Sequence, residues 1–317
     1  MDNKDTQDNV RPSHFSFSED STIRETTNRK QPTDKEPAPG AEIIKMLLRK
    51  YGFLTRRLLS KCLISHGHST IDTVKSLKKM QQQGHIMKYT IEAGKGDDIS
   101  VFCLSESSRA AQGDKNRYCY DMKSIPYIME ILATAQWSIA LKSEKKATEL
   151  LYEVSANTEG RNLRIPSLSR FIIRPGHTIY IAAMPVCRSR DPERFKEFLE
   201  KLDNLNRYLN LNAGRYRSAQ TVLICESMGQ VEETCRVISR FTELAGNFYL
   251  YTTDAITGDD GITPLGILYG ASLKNNGEVE ITVFSLKGEG VKEILDKTVR
   301  KAKKRISVIL KTAEEDG

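Results

Sequence analysis

The sequence predicts an α/β protein in two parts, an N-terminal winged helix-turn-helix followed by a mixed-sheet α/β domain. Three observations carry this. Apolar residues between Glu42 and Gly84 recur at helical spacing in three short runs, each with its own start and stop signals. Two strand-type runs then flank a turn-rich stretch at 93–98. From Leu150 the period changes, and short apolar runs alternate with amphipathic helices, as in a sheet covered by helices.

Residues 1–40 are polar, nearly free of large aliphatics and rich in Pro towards their end, so they bury too little apolar surface to offset chain entropy and predict a disordered arm. The first helix spans Glu42 to Tyr51, with Ile43, Met46 and Leu47 inward and Gly52 as its stop. The second spans Phe53 to Leu63, with Thr55 as N-cap and Leu58, Leu59 and Cys62 as its buried stripe. After the turn 64–68, Ser69 caps a third helix through a Ser-x-x-Asp box with Asp72, and Ile71, Val74 and Leu77 are expected to face inward until Gly84. Met87 to Glu92 and Ile99 to Leu104 form the wing strands, joined through Lys95 at the tip.

A polar, turn-rich stretch from Arg109 to Lys123 leads to a helix from Ile125 to Leu141, with Ile128, Ile131, Leu132 and Ala135 along one side and Trp137 packed against a neighbour. Strands are expected at Leu150–Val154, Ser169–Ile173, Thr178–Val186, Thr221–Cys225, Phe248–Thr252 and Glu278–Ser285, and helices at Asp191–Leu209, Gln230–Leu244 and Gly290 to about Arg305. The last helix is amphipathic, with Val291, Ile294, Leu295, Thr298 and Ala302 on one face and cations crowding its final turns. The chain thus divides into an arm (1–40), a winged helix (41–111), a connector with one helix (112–145), an α/β domain (146–311) and a tail (312–317).

Charge supplies the functional argument. Residues 41–90 hold ten Lys/Arg against two acids, a surplus of eight that exceeds the +7 of the whole chain. One segment therefore carries the positive potential, which suits a polyanion. The residues expected to meet DNA are Arg56, Arg57, Lys75, Ser76, Lys78, Lys79 and Lys95, with Lys75, Lys79 and Ser76 on an exposed face of the third helix.

Other chemistries find little support. No apolar run approaches the roughly 20 residues of a membrane span, and the N-terminus lacks a secretion signal, so a cytoplasmic protein is expected. The six cysteines have no CxxC spacing and read as small buried hydrophobes; Cys62, His66 and His68 lack a fourth zinc ligand. There is no GxxxxGK[ST] phosphate loop, and Asp254 with Asp259 and Asp260 reads as turn chemistry rather than a cation site. No metal, cofactor or catalytic residue is assigned.

The helices at 42–84, the second wing strand Val101-Phe102-Cys103-Leu104, the helix at 125–141 and the α/β segment, in this order to about Thr253, resemble the replication-relaxation family of plasmids and conjugative elements in Gram-positive bacteria. That resemblance implies a winged helix followed by a restriction-endonuclease-like domain, with a part in plasmid replication or DNA mobilisation. Glu153 matches the family's first acid and Leu205-Asn206-Arg207-Tyr208-Leu209 its helix ending. Arg164-Ile165-Pro166-Ser167 stands where Pro-Asp would be, and the strand at 179–185 lacks the family's acids. The resemblance therefore implies a member that has lost its chemistry, since a nuclease needs clustered carboxylates to hold Mg²⁺. The expected function is a non-catalytic accessory or regulatory protein that binds double-stranded DNA, forms a homo-oligomer and recruits a replication or transfer protein. A metal-dependent nuclease and a winged helix used for protein contacts are the alternatives.

Overall fold

The computed structural model describes residues 22–25, 38–92, 98–111, 124–142, 147–158, 161–174, 177–212, 219–258 and 264–285. In chain order these form β1 (Thr22–Glu25), α1 (Ala41–Tyr51), β2 (Leu54–Thr55), α2 (Arg56–Ile64), α3 (Thr70–Gln82), β3 (Ile86–Glu92), β4 (Ile99–Leu104) and α4 (Glu106–Ala111). There follow α5 (Ile125–Leu141), β5 (Ala147–Thr158), β6 (Arg161–Arg174), β7 (His177–Pro185), α6 (Pro192–Leu211), β8 (Ala219–Cys225) and α7 (Met228–Ile238). The series closes with α8 (Thr242–Ala245), β9 (Tyr249–Thr253), α9 (Asp254–Gly258), β10 (Leu268–Leu273) and β11 (Val279–Phe284). Two sheets result, a four-stranded one in the order β1-β3-β4-β2 and a seven-stranded one in the order β11-β10-β9-β8-β7-β6-β5.

Local chemistry places the small helices. The Thr55 side chain accepts from the Leu58 N–H and starts α2, and Ser69 and Asp72 form a complete capping box on α3. Gly84, at φ 77°, takes the left-handed conformation that closes α3. Several expectations are corrected. The second helix begins at Arg56, because Leu54 and Thr55 pair with Phe102 and Val101 as a short strand. Within the expected arm Thr22–Glu25 forms a strand antiparallel on β3, with Thr22 opposite Glu92, and Arg24 meets Glu92 at 3.2 Å; residues 1–21 and 26–37 lie outside the described residues. Ala38 is buried in the small core.

Helical phase explains two further corrections. In α1 the buried residues are Ile44, Leu47, Leu48 and Tyr51, while Met46 is 53% exposed. In α3 they are Thr73, Ser76, Leu77 and Met80, and Ile71 and Val74 face outward. Ile71, Val74 and Leu77 repeat every third residue, a spacing that drifts about 60° per step around a 3.6-residue helix. Thr73, Leu77 and Met80 stay within one stripe, and that stripe is the one buried.

In the large sheet β7, β8 and β9 are parallel and the remaining neighbours antiparallel. Period-two alternation divides its faces: Val222 and Ile224 of β8 face the core containing Trp137, while Leu223 and Cys225 face the one built by α6 and α7. Two further departures from expectation concern β10 and the helix at 230–244. β10 has the composition Leu-Tyr-Gly-Ala-Ser-Leu, weak in β-branched residues, and is held by pairing on both sides. The helix expected at 230–244 is interrupted into α7 and α8. The expected C-terminal helix and Cys119 lie outside the described residues.

Helix α5 joins the two parts. Residues 128 to 141 are buried on every side except at Glu130, as the apolar, charge-poor sequence requires. Ile128, Met129, Ile131, Leu132, Ala135 and Ile139 complete the small core, and Ala133, Trp137 and Leu141 belong to the sheet core. The boundary expected at residue 112 thus separates the small domain from a helix that fills its interior.

Candidate functional site

The outward face of α3 carries Ile71, 66% exposed, and Val74, 43% exposed, beside exposed Lys75 and Lys78. Arg56, the first residue of α2, is exposed as well. Arg57 beside it is exposed too. Ser76 is fully buried and its hydroxyl donates to the Pro39 carbonyl, so it is corrected from a DNA contact to a tie between α3 and the segment before α1. Lys79 is half-buried. The Arg57 guanidinium donates to the Gly258 carbonyl at the end of α9, joining the small domain to the sheet domain. Lys95 lies outside the described residues.

Part of the positive surplus also turns inward. Lys45 pairs with Glu42 at 3.0 Å. Lys50 lies 5.3 Å from the centre of the Tyr51 ring, with Lys142 at 5.9 Å from the same ring. Burial, followed by repulsion from Lys142, lowers the Lys50 pKa from the ordinary lysine range. His66 Nδ1 lies 2.8 Å from the Cys62 carbonyl and 3.2 Å from Ser65 Oγ, satisfying the ring within its own turn. The five cysteines among the described residues are buried, and no group of three metal-ligating side chains occurs among those residues.

A second constellation lies at the carboxyl ends of the parallel strands, the edge where α/β sheets gather polar groups. Arg188 follows β7, Glu226 follows β8 and Asp254 follows β9. Arg188 Nη2 donates to Asp254 Oδ1 at 2.8 Å, with the two side chains 1% and 0% exposed. The Arg188 N–H donates to Glu130 Oε1 of α5 at 3.1 Å. Gln136, also of α5, donates to the Asp254 carbonyl at 2.8 Å and to Thr257 Oγ1 at 2.7 Å. Gln230 of α7 donates to the Cys187 carbonyl at 2.9 Å. This network ties α5, α7 and three strand ends together, and a groove of about 1900 Å³ opens beside it between α6 and α7. Arg188 and Glu226 are not among the site residues expected from the sequence. The signal was present, because each is a charged residue placed just beyond an apolar strand run.

Burial pushes the Asp254 carboxyl up to about 6, against the opposing pull of the Arg188 charge. Glu130 is raised too, again chiefly by burial. A carboxyl whose folded pKa lies above its unfolded value holds its proton better when folded. Its stabilising contribution is therefore complete below about pH 4 and is lost as pH rises through about 6. Chain stability is expected to fall between about pH 4.5 and about pH 7, by up to about 1.4 kcal/mol per pH unit for one proton. Asp254→Asn should remove much of that slope in urea titrations at the two pH values, leaving the part due to Glu130. An unchanged slope in the variant would refute the assignment.

No family model, no curated protein and no solved structure matches this chain. No helix among the described residues is long and apolar enough to cross a membrane.

Proposed function

We propose that the protein binds duplex DNA through the outward face of α3, as a non-catalytic accessory or regulatory protein of plasmid replication or DNA mobilisation. The observation that carries this is the pairing of Lys75 and Lys78 with outward Ile71 and Val74 on a helix capped at its start and packed on its opposite side. Lysines neutralise phosphates, and apolar side chains of this size meet thymine methyl groups in a major groove. The order α1, α2, α3, β3, β4 supports reading the small domain as a winged helix, with α3 as the recognition helix and the β3–β4 hairpin as the wing.

The sheet domain is proposed as a scaffold and assembly surface of restriction-endonuclease-like type. In β7, where the resemblance leads one to seek metal-holding carboxylates, the residues are Ala182, Ala183 and Met184, all buried. Incubating the full chain with supercoiled DNA in Mg²⁺ or Mn²⁺ should leave the DNA intact; nicking abolished by Glu153→Ala would move the protein to the nuclease class.

Binding of duplex DNA by the full chain should fall steeply with salt, and Lys75→Ala with Lys78→Ala should flatten the log–log slope by about 2, near 1 for each phosphate that is no longer neutralised. Anisotropy titrations at several salt concentrations measure this. A flat response in the parent chain would rule out the electrostatic mode. The exposure of Ile71 and Val74 favours a second reading, in which the same face docks on a protein. Ile71→Ser with Val74→Ser would then abolish capture of that partner while Lys75→Ala with Lys78→Ala left it unchanged.

A further inference from the structure

The groove between α6 and α7 exceeds the roughly 300–1,000 Å³ of a small-molecule site. Its volume of about 1900 Å³ is close to that of a helix of about fifteen residues, roughly 22 Å long and 10 Å across. Its floor is apolar, with Phe195 and Leu199 of α6, Val237 of α7, and Phe241 at 43% exposure. Six acids and four bases line it, and two of those bases are already paired, Arg188 with Asp254 and Arg207 with Asp203 at 2.8 Å. Glu200, Glu233 and Glu243 stand exposed along it. An apolar floor edged with carboxylates suits an amphipathic helix whose polar face is cationic.

Strand direction indicates where such a helix could come from. β10 runs antiparallel to β9, and β11 antiparallel to β10, so β11 points the same way as β7, β8 and β9. The chain therefore leaves the sheet after Phe284 at the edge where Arg188 and Glu226 stand and the groove opens. β11 lies three strands from β8 and four from β7, about 15–20 Å at the usual strand spacing. Residues 286–290 can reach roughly 17 Å when extended. Beyond them Val291, Ile294, Leu295, Thr298 and Ala302 share a helical face in the sequence, and residues 297–305 hold six Lys/Arg and no acid.

We propose that the groove between α6 and α7 is the seat of this chain's own residues 291–305. They dock in cis, with the apolar face on Phe195, Leu199, Val237 and Phe241 and the cations along Glu200, Glu233 and Glu243. The inference stands apart from DNA binding by α3, and its test involves no DNA.

Hydrogen exchange of the full chain, read by mass spectrometry, supplies that test. Amides within 291–305 should exchange at least about tenfold more slowly than an unstructured chain. The triple reversal Glu200→Lys, Glu233→Lys and Glu243→Lys alters exposed side chains only and should abolish the protection, and adding Lys301→Glu with Lys304→Glu should restore part of it. A second variant, Ile294→Asp with Leu295→Asp, lies outside the described fold and should speed exchange in the groove-facing turns of α6 and α7. Unprotected exchange across 291–305 in the parent chain, or protection indifferent to the triple reversal, would overturn the proposal. Protection that rises with protein concentration alongside a sedimenting dimer would place the segment on a second copy, overturning the assignment in cis.

Discussion

Trp137→Ala should lower the stability of the whole chain by about 3–5 kcal/mol, and Leu132→Ala by about 2–5 kcal/mol, both through a single unfolding transition. Each side chain is fully buried, so truncation loses its transfer free energy and leaves a cavity that close-packed neighbours fill only in part. The two residues serve different cores. Trp137 packs with Phe171, Val222 and Leu250 of the sheet, and Leu132 with the helices of the small domain. They lie five positions apart on one helix, however, and Arg57 reaches from the small domain to the Gly258 carbonyl. Loss of α5 from either side strips the other of part of its interior. Urea unfolding followed by far-ultraviolet circular dichroism should show one transition in the parent chain and in both variants. Two transitions, each moved by only one substitution, would show that the cores fold independently. The same reasoning predicts that residues 41–111 alone expose the apolar face that α5 covers, so DNA-binding measurements belong on the full chain.

Arg188→Met should cost about 3–5 kcal/mol, because it leaves Asp254 buried without its counter-charge. Arg188→Met combined with Asp254→Leu should recover most of that loss. The pair is incompletely satisfied: Arg188 Nε and Nη1 and Asp254 Oδ2 have no hydrogen-bond partner among the described residues. Buried polar atoms left in that state cost free energy, and an apolar pair of similar volume does not carry the penalty. The measurement is a double-mutant cycle of urea midpoints at about pH 7. A double variant no more stable than Arg188→Met would show that the pair is held by more than its mutual charge. Retained DNA affinity in a folded double variant would separate this network from the proposed binding face.

Legibility differed between elements for physical reasons. Caps were readable because they are local: Thr55 before α2, and Ser69 with Asp72 at α3, act within three residues. The helix at 125–141 was readable to both ends, since its apolar run is long, Ser124 caps it and Pro126 sits in its first turn. The inward face of α3 was not, because Ile71, Val74 and Leu77 offer a competing apolar pattern to that of Thr73, Leu77 and Met80. The approach of α2, β3 and Pro39 selects the second. For the same reason Ser76 reads as an exposed polar residue while lying buried, and the donation from exposed Arg57 to the Gly258 carbonyl, 201 positions away, has no local signal at all.

By itself the sequence determined the three short helices between residues 41 and 82, the helix at 125–141, the strands β3, β4, β7, β8 and β9, the concentration of positive charge between residues 41 and 90 and the amphipathic character of residues 291–305. Each rests on neighbours within a few positions or on composition alone. Tertiary structure decided which cations point outward, that Thr22–Glu25 joins β3, and that β10 exists as a strand held by two partners. It also brought Arg188, Glu226 and Asp254, from three separate stretches of chain, to one edge of the sheet. Those outcomes depend on pairing and burial between residues tens to hundreds of positions apart, where the free energy comes from contacts that no local pattern encodes.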